Sequence, residues 1–501
     1  MTENQTRRIR HVAIVGGGTA GWIAASVLAR ALSSTGCAVT VVESTQIGTV
    51  GVGEATIPPF VDLLKFLSID LADFVRHTGS TYKLGIKFTD WSRVGRSYWH
   101  PFGGLGASIN RRPFFHAWHK ARAEGLAVDL ASFSLCMSLG EQGRFRFPDP
   151  GADRPASGLK FALHFDAERV SQYLRAYAER LGVRRLERTV SGATQRDDGF
   201  IESLVFDDGG RLEADLFIDC SGFRALLIEK TLKTGYEDWS ALLPCDRAAA
   251  MPTALKGPRP PYTQAFARSA GWRWSIPLQH RVGNGYVYCS GDISDQAAMD
   301  DLVKEVGPGL AEPRLLRFVT GRRKAFWVKN CVALGLASGF LEPLESTSIH
   351  LAISGVYNLL DHFPDLDFDS GNIAAYNAEL GAEMERIRDF IVLHYALTNR
   401  HDAPLWRRMR ALTLPDSLKT RLELYRATGR VRSQAGELFT DLSWFYVLEG
   451  MGVRPVAYDP LMDVVAPLRL RAILAELAAE TAAAANSAPA HDSFFSHSFA
   501  A

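Results

Sequence analysis

The chain has 501 residues, of which 47% are hydrophobic and 22% charged, with a formal net charge of +1. This is an ordinary globular balance, long enough to bury a large core in two or more lobes. There is no sustained basic block to suit nucleic acid and no apolar run long enough to cross a membrane.

The N-terminus, MTENQTRRIR, is polar and lacks an apolar signal region. Cys37, Cys136, Cys220, Cys245, Cys289 and Cys331 are scattered without C-x-x-C spacing. They read as buried thiols in a reducing cytoplasm, with neither a metal nor a disulfide framework indicated.

Residues 11 to 15, HVAIV, form an apolar β-branched run suited to a buried parallel strand. Gly16, Gly18 and Gly21 then make a G-x-G-x-x-G turn, with Thr19 and Ala20 inside it, opening a helix that places Ile23, Val27 and Leu28 on one face. Glycine suits a tight turn whose backbone approaches a pyrophosphate, and the helix start offers unpaired N–H groups and a positive dipole end. A second strand over 39–42 ends at Glu43, where an acid would hold ribose hydroxyls. Strand, turn, helix, strand and acid in register predict dinucleotide binding. They do not separate NAD from FAD.

Residues 60 to 71 read as helical. TYKLGIKFTDW alternates, with Tyr82, Leu84, Ile86 and Phe88 on one strand face and Lys83, Gly85 and Lys87 on the other. A lone strand lysine such as Lys83 reads as solvent-facing. YWHPFGGLG at 98–106 mixes aromatics, His100 and glycines, which suits either a loop bordering a flat ligand or a plain hydrophobic loop. From Phe161 a strand-like start leads into an amphipathic helix through Leu181. Short strands separated by DDG turns end in LFIDCSGF, where Asp219, Ser221 and Gly222 permit close backbone approach to a cofactor.

In GWRWSIPLQH, Trp272 and Trp274 share a strand face, a spacing that by itself means core packing. A strand over 331–336, ending at Leu336, leads to ASGFLEPLESTSIH. Glu345 there precedes a helix, and Ser346 and Thr347 are good capping residues. The remaining third is helical over 375–399 and on into RHDAPLWRRM, then over 414–428 and 467–485. The stretch from 486 to 501 lacks periodicity.

GGGTAGW, GVGEATIPP, the TYK strand, HPFGG, GWRWSIP and FLEPLESTSI occur in the order seen in flavin-dependent tryptophan halogenases. The resemblance spans roughly the first 400 residues and extends through DFIVLHYALTNRHDAPLW. It implies an α/β fold: a Rossmann-type FAD-binding domain of the flavin monooxygenase kind over 1–360 with interleaved substrate-facing strands and loops, a mainly helical substrate lobe over 361–485 and a flexible tail over 486–501. It further implies that reduced, noncovalently held FAD, oxygen and chloride or bromide produce hypohalous acid, which travels to a separate pocket. By position, Lys83 would present the halogen by hydrogen bond or as a haloamine, and Glu345 would take the proton of the arenium intermediate. Backbone amides at Thr347 and Ser348 would bind halide, although Ser348 stands where the family usually has glycine. Trp272 and Trp274 would line the flavin side. His100 and Phe102 would stack on the substrate ring, with Trp444 and Phe445 beside it.

The cofactor cradle would include Gly16, Gly18, Thr19, Ala20, Gly21, Glu43, Asp219, Gly222 and Leu336. SWFYVLEGMGVRP has no tryptophan after Trp444, and the family's downstream polar lid is not evident. The expectation is therefore an indole or indole-like substrate, with free tryptophan a poor one. A separate NAD(P)H-dependent flavin reductase would be the partner. Oligomeric state stays open, a homodimer included. Two other readings stay open: an FAD-dependent aromatic hydroxylase and a non-catalytic FAD-binding protein.

Overall fold

The computed structural model describes residues 7–45, 53–126, 129–151 and 155–495. The chain divides into two units, each drawn from three segments. The first takes the chain up to Gly79, Phe165–Asp246 and Leu316–Glu385, and the second takes Ser80–His164, Arg247–Leu315 and the chain from Arg386 onward. This division cuts across the consecutive regions 1–360 and 361–485 expected above. Long-range strand pairing is the reason.

In the first unit a six-stranded sheet runs in the order Trp327–Val328, Cys331–Ala333, Leu216–Asp219, His11–Val15, Ala38–Glu43, Arg184–Glu187. All pairings are parallel except that of the short edge strand Trp327–Val328. The central strands are buried on both faces, which explains why 11–15 and 39–42 read as unbroken apolar runs. The helix Thr19–Leu32 packs against Ala167–Arg180 and Ser348–Asp361. An antiparallel three-stranded sheet, Val190–Gln195, Ile201–Phe206 and Arg211–Glu213, accounts for the DDG turns. Where one helix was expected over 60–71 there are two, Pro59–Phe66 and Leu71–Thr78, the second capped by the Asp70 carboxylate on the Asp73 N–H at 2.7 Å. Gly51 and Val52 of the GVGEATIPP motif lie outside the described residues.

The second unit is built on a seven-stranded sheet in which Arg247–Thr253, Val282–Tyr288, Gly271–Pro277, Thr263–Arg268, Gly85–Thr89 and Ser97–Pro101 are successive neighbours. The expected single strand over 81–89 is broken into Thr81–Lys83 and Gly85–Thr89. Leu84 sits at the break, its N–H donating to Pro261 O at 2.7 Å and its carbonyl accepting from Phe102 N–H at 2.8 Å. The helix expected to run on from 399 stops at Ala396, and Pro404 opens a separate helix, Pro404–Arg410.

The flexible tail expected from 486 is not what residues 486–495 form. His491–Phe494 is a short 3-10 turn, His491 is fully buried with Nδ1 2.8 Å from Arg259 O, and the Phe495 ring lies 5.6 Å from that of Tyr82. Five phenylalanine rings clustered on Tyr82 (Phe145, Phe147, Phe161, Phe494 and Phe495) supply the anchor that a periodicity search does not register. Cys136, Cys245, Cys289 and Cys331 are buried, while Cys37 and Cys220 are half-buried. Among the described residues no helix is long and apolar enough to cross a membrane.

Candidate active site

The expected cofactor residues of the first unit converge at the carboxyl ends of its parallel strands, where open α/β sheets bind ligands. Gly16 ends the first strand at φ +113°, and a Cβ there would overlap the Cys220 carbonyl. Gly21 lies so close to Gly16 O that a side chain would clash, which draws the helix onto the strand. Between them Gly18 is different. A Cβ on Gly18 would meet no atom of the other described residues within 4 Å, and Gly18 is the N-cap of Thr19–Leu32 with no side-chain cap bond. The helix start is thus open, with its N–H groups available to an anion. A Cβ on Gly335 would lie 2.7 Å from Ala20 Cβ, bringing the Gly335–Ala337 turn and half-buried Leu336 to the same rim. Gly222, at φ +70°, adds a further open edge.

Two expected cofactor residues are occupied by the protein itself. Asp219 is fully buried. Its Oδ1 accepts from Ser221 N–H at 3.0 Å and Ser221 O–H at 2.6 Å, and its Oδ2 from the Leu227 and Ile228 N–H groups at 2.8 and 2.9 Å. Its carboxylate therefore shapes the 220–228 loop and has no open face for a ligand. Glu43 accepts from Trp22 Nε1–H at 3.3 Å and from the Arg185 guanidinium, with Arg175 at 3.8 Å. It stands at the strand end as expected, already held by two cations.

Farther along the first unit, Pro343–Glu345 forms a 3-10 turn, Ser346 takes φ +58°, and Thr347 is the N-cap of Ser348–Asp361. Glu345 and Thr347 are fully buried and Ser348 half-buried. Thr347 does not cap that helix through its side chain, and its Oγ1 has no hydrogen-bond partner among the described residues. The capping role that Thr347 suggests is therefore absent.

In the second unit Lys83 is 0% exposed. The expected solvent-facing lysine is wrong. Lys83 and Tyr82 point to opposite faces of their short strand and both faces are covered, Tyr82 by stacking on Phe145 at 4.3 Å. The Lys83 ammonium lies 5.2 Å from the centre of the Phe102 ring, a cation–π arrangement. Beyond Phe102 is a cavity of about 390 Å³ lined by Gly104, Gly106, Phe133, Leu135, Cys136 and Leu159, among others. Cys136 Sγ donates to the Phe102 carbonyl, so the ring facing Lys83 and the cavity wall share one backbone. Burial pushes that thiol up to about 12, which keeps it protonated and inert.

His100 lies 5.4 Å from Phe390 and 5.9 Å from Phe439, ring to ring. Phe390 and Phe439 stack at 3.8 Å, and Trp444 meets Phe390 edge-on at 4.9 Å. Phe445, one residue on, turns away to stack on Phe115 at 5.1 Å, in the core beside Trp118 and His119. The structure therefore groups Trp444 with His100 and separates Phe445 from them. Trp272 and Trp274 are buried with ring centres 6.1 Å apart. Trp274 lies over its cross-strand partner Gly285, where a Cβ would overlap the indole, and its Nε1 has no hydrogen-bond partner among the described residues.

The tryptophan halogenase family model matches residues 11–467. The chain belongs to the tryptophan halogenase family. It is 42% identical to BrvH, a flavin-dependent halogenase from Brevundimonas sp. BAL3, over 98% of this chain and 99% of that one, with a TM-score of 0.94. It is 44% identical to Xcc4156, a flavin-dependent halogenase from Xanthomonas campestris, over 98% of both chains, with a TM-score of 0.93. The tryptophan 6-halogenase ThaL of Streptomyces albogriseolus is 34% identical over 90% of this chain and 92% of its own length. The protein is thus an enzyme of the flavin-dependent halogenase type, with the expected α/β Rossmann architecture. The expected preference for indole over free tryptophan is not borne out, since ThaL is named for tryptophan itself.

As a family member the chain carries site features that motif reading passes over. Phe390 falls inside DFIVLHYALTNR, and Phe439 immediately precedes the helix Asp441–Gly450. Only their stacking reveals them as neighbours of His100. Glu54, within GVGEATIPP, has its carboxyl raised to about 7 by burial. Its signal was present in the motif, but an acid flanked by small residues carries no local mark of desolvation.

Proposed function

We propose that this protein halogenates the indole ring of a small aromatic substrate, using reduced FAD, oxygen and chloride or bromide, with a separate NAD(P)H-dependent flavin reductase supplying reduced FAD. The observation that carries the reading is the complete burial of Lys83 with its ammonium over the Phe102 ring. The open helix start at Gly18 and the rim at Ala20, Gly222 and Leu336 fit the pyrophosphate-bearing cofactor. When bound, reduced FAD supplies the electrons with which oxygen converts halide to hypohalous acid.

Lys83 donates a hydrogen bond to the oxygen of that oxidant, polarising the halogen and aiming it at one ring carbon. The carbon–halogen bond forms as the halogen–oxygen bond breaks, and the departing hydroxide takes a proton from the Lys83 ammonium and leaves as water. Glu345 then takes the proton from the halogenated ring carbon, restoring aromaticity. The helix start at Ser348, with the Thr347 hydroxyl beside it, suits a halide. His100 and Phe102 flank the ring, and Trp444 extends the aromatic wall.

The test is turnover with FAD, a flavin reductase, NADH and either halide, offering tryptophan, indole and phenols, read by halogen isotope pattern. Halogenated product that needs halide and disappears in Lys83→Ala is the expected result. A hydroxylated product indifferent to halide would return the aromatic hydroxylase reading. FAD binding unaffected by either substitution, with no product from any aromatic, would favour the non-catalytic one.

A further inference from the structure

The strand that carries Lys83 is only three residues long, Thr81–Lys83, and its neighbour on the chain breaks away at Leu84. Something other than ladder length has to fix it. Opposite Thr81, in antiparallel register, stands His164, which is fully buried. His164 Nδ1 is 3.1 Å from Thr81 Oγ1, and His164 Nε2 is 2.9 Å from Thr263 Oγ1. Thr81 spends its hydroxyl proton on the Pro277 carbonyl, at 2.7 Å.

Donor counting fixes the chain of bonds. Thr81 Oγ1, with its one proton committed to Pro277, can only accept from the imidazole. Nδ1 therefore carries a proton. A neutral ring then leaves Nε2 bare, accepting from the Thr263 hydroxyl. The sequence Thr263 O–H to Nε2, Nδ1–H to Thr81 Oγ1 and Thr81 O–H to Pro277 O is continuous and uses every member once. Burial, together with the charges of Lys83 and His491, holds the imidazole well below its ordinary range, which agrees with a neutral ring. A proton added to His164 would place a second buried cation two residues across the strand pair from Lys83.

We propose that His164 is a positioning residue for Lys83: as the neutral Nδ1–H tautomer it ties the lysine's strand to Thr263 and to the Pro277 end of the paired-tryptophan strand. This rests on the reading of Lys83 as the residue that presents the halogen. His164 touches neither oxidant nor substrate in this scheme. Its contribution is to hold the Thr81–Lys83 backbone where the ammonium meets Phe102, and a displacement of about 1 Å at such a group is enough to cost roughly a hundredfold in rate.

The experiment compares wild type with His164→Leu, His164→Gln, Thr263→Val and Lys83→Ala, measuring halogenated product per reduced FAD consumed. Glutamine offers one donor and one acceptor and leucine neither. The expected result is a roughly ten- to hundredfold fall in product per flavin for leucine, partial recovery for glutamine, and unchanged KM for the aromatic and unchanged flavin oxidation in both. Thr263→Val, which spares the imidazole, should fall in the same direction. Nitrogen-15 NMR of the wild-type protein labelled at histidine should show His164 with a protonated Nδ1 and a bare Nε2. Full coupling in both His164 variants while Lys83→Ala is inactive would overturn the positioning role. So would an Nε2–H tautomer or an imidazolium at neutral pH. Product retained in Lys83→Ala would instead overturn the reading of Lys83, a separate outcome.

Discussion

Gly16 and Gly18 sit two residues apart in one loop, yet alanine at each should fail in a different way. At Gly16 the left-handed φ of +113° costs a side chain about 1–3 kcal/mol. The new Cβ would also overlap the Cys220 carbonyl, a backbone group that cannot rotate aside, and overpacking of that kind adds about 1–3 kcal/mol. Gly16→Ala should therefore lose several kcal/mol of stability without any cofactor present. Gly18→Ala meets no atom of the other described residues within 4 Å and costs only the change from glycine to alanine at an N-cap, about 0.5–1 kcal/mol. On the proposed reading its methyl would enter the space taken by the cofactor phosphates at the helix start. Losing one charge-assisted N–H bond there, about 1.5–3 kcal/mol, weakens FAD binding by roughly ten- to 150-fold. Urea unfolding of the FAD-free proteins and flavin fluorescence titration separate the two effects. Equal destabilisation by both substitutions, or wild-type FAD affinity in Gly18→Ala, would refute this account of the loop.

Glu345→Gln should lower product formation by about 10²- to 10⁴-fold while reduced flavin is still consumed, measured as product against NADH oxidised. Lys83→Arg should fail like Lys83→Ala, because a planar, forked guanidinium does not reproduce the single point donor of the buried ammonium; product from the arginine variant would argue that charge alone suffices. Gly285→Ala should push the Trp274 indole from its seat at a cost of about 1–3 kcal/mol, seen as a lower urea midpoint with altered near-ultraviolet dichroism. Burial raises the Glu54 carboxyl from 4.5 to about 7. Between those values the folded state keeps a proton that the unfolded chain has released, so stability falls as pH rises across that window, and Glu54→Gln should flatten the fall in a pH series of urea midpoints.

The dinucleotide loop was legible because everything it needs is local: strand, glycines, helix and acid within forty residues. Lys83 was recognisable only through its motif, since strand alternation placed it with Gly85 and Lys87 and so on a solvent face. The break at Leu84, made by bonds to Pro261 and Phe102, uncouples the two strands. Lys87 then pairs with Glu141 while Lys83 is sealed in. The helix Asp441–Gly450 escaped notice for a different reason: SWFYVLE is buried on every side, so it has no polar stripe to set a period. Asp219 was expected to face the cofactor, but its carboxylate is taken up by four backbone and hydroxyl donors in the 221–228 loop, whose fold no local pattern predicts. The packed turn at His491 depends on Arg259 and on rings around Tyr82, and such contacts leave no trace in the sequence nearby.

The three-segment construction of each unit has a bearing on how the protein is made. A ribosome releases His11–Val15 early, but its sheet is not closed until Cys331–Ala333 arrives to pair with Leu216–Asp219. At ~5–20 residues per second, that interval is roughly a quarter of a minute to a full minute. During it the apolar strands wait with open edges, the condition under which nascent chains engage chaperones or associate with one another. Slower elongation would lengthen that exposure without bringing the sheet any nearer completion. Yield in a heterologous host should therefore respond to chaperone supply and to whatever sets the elongation rate, growth temperature and codon choice included.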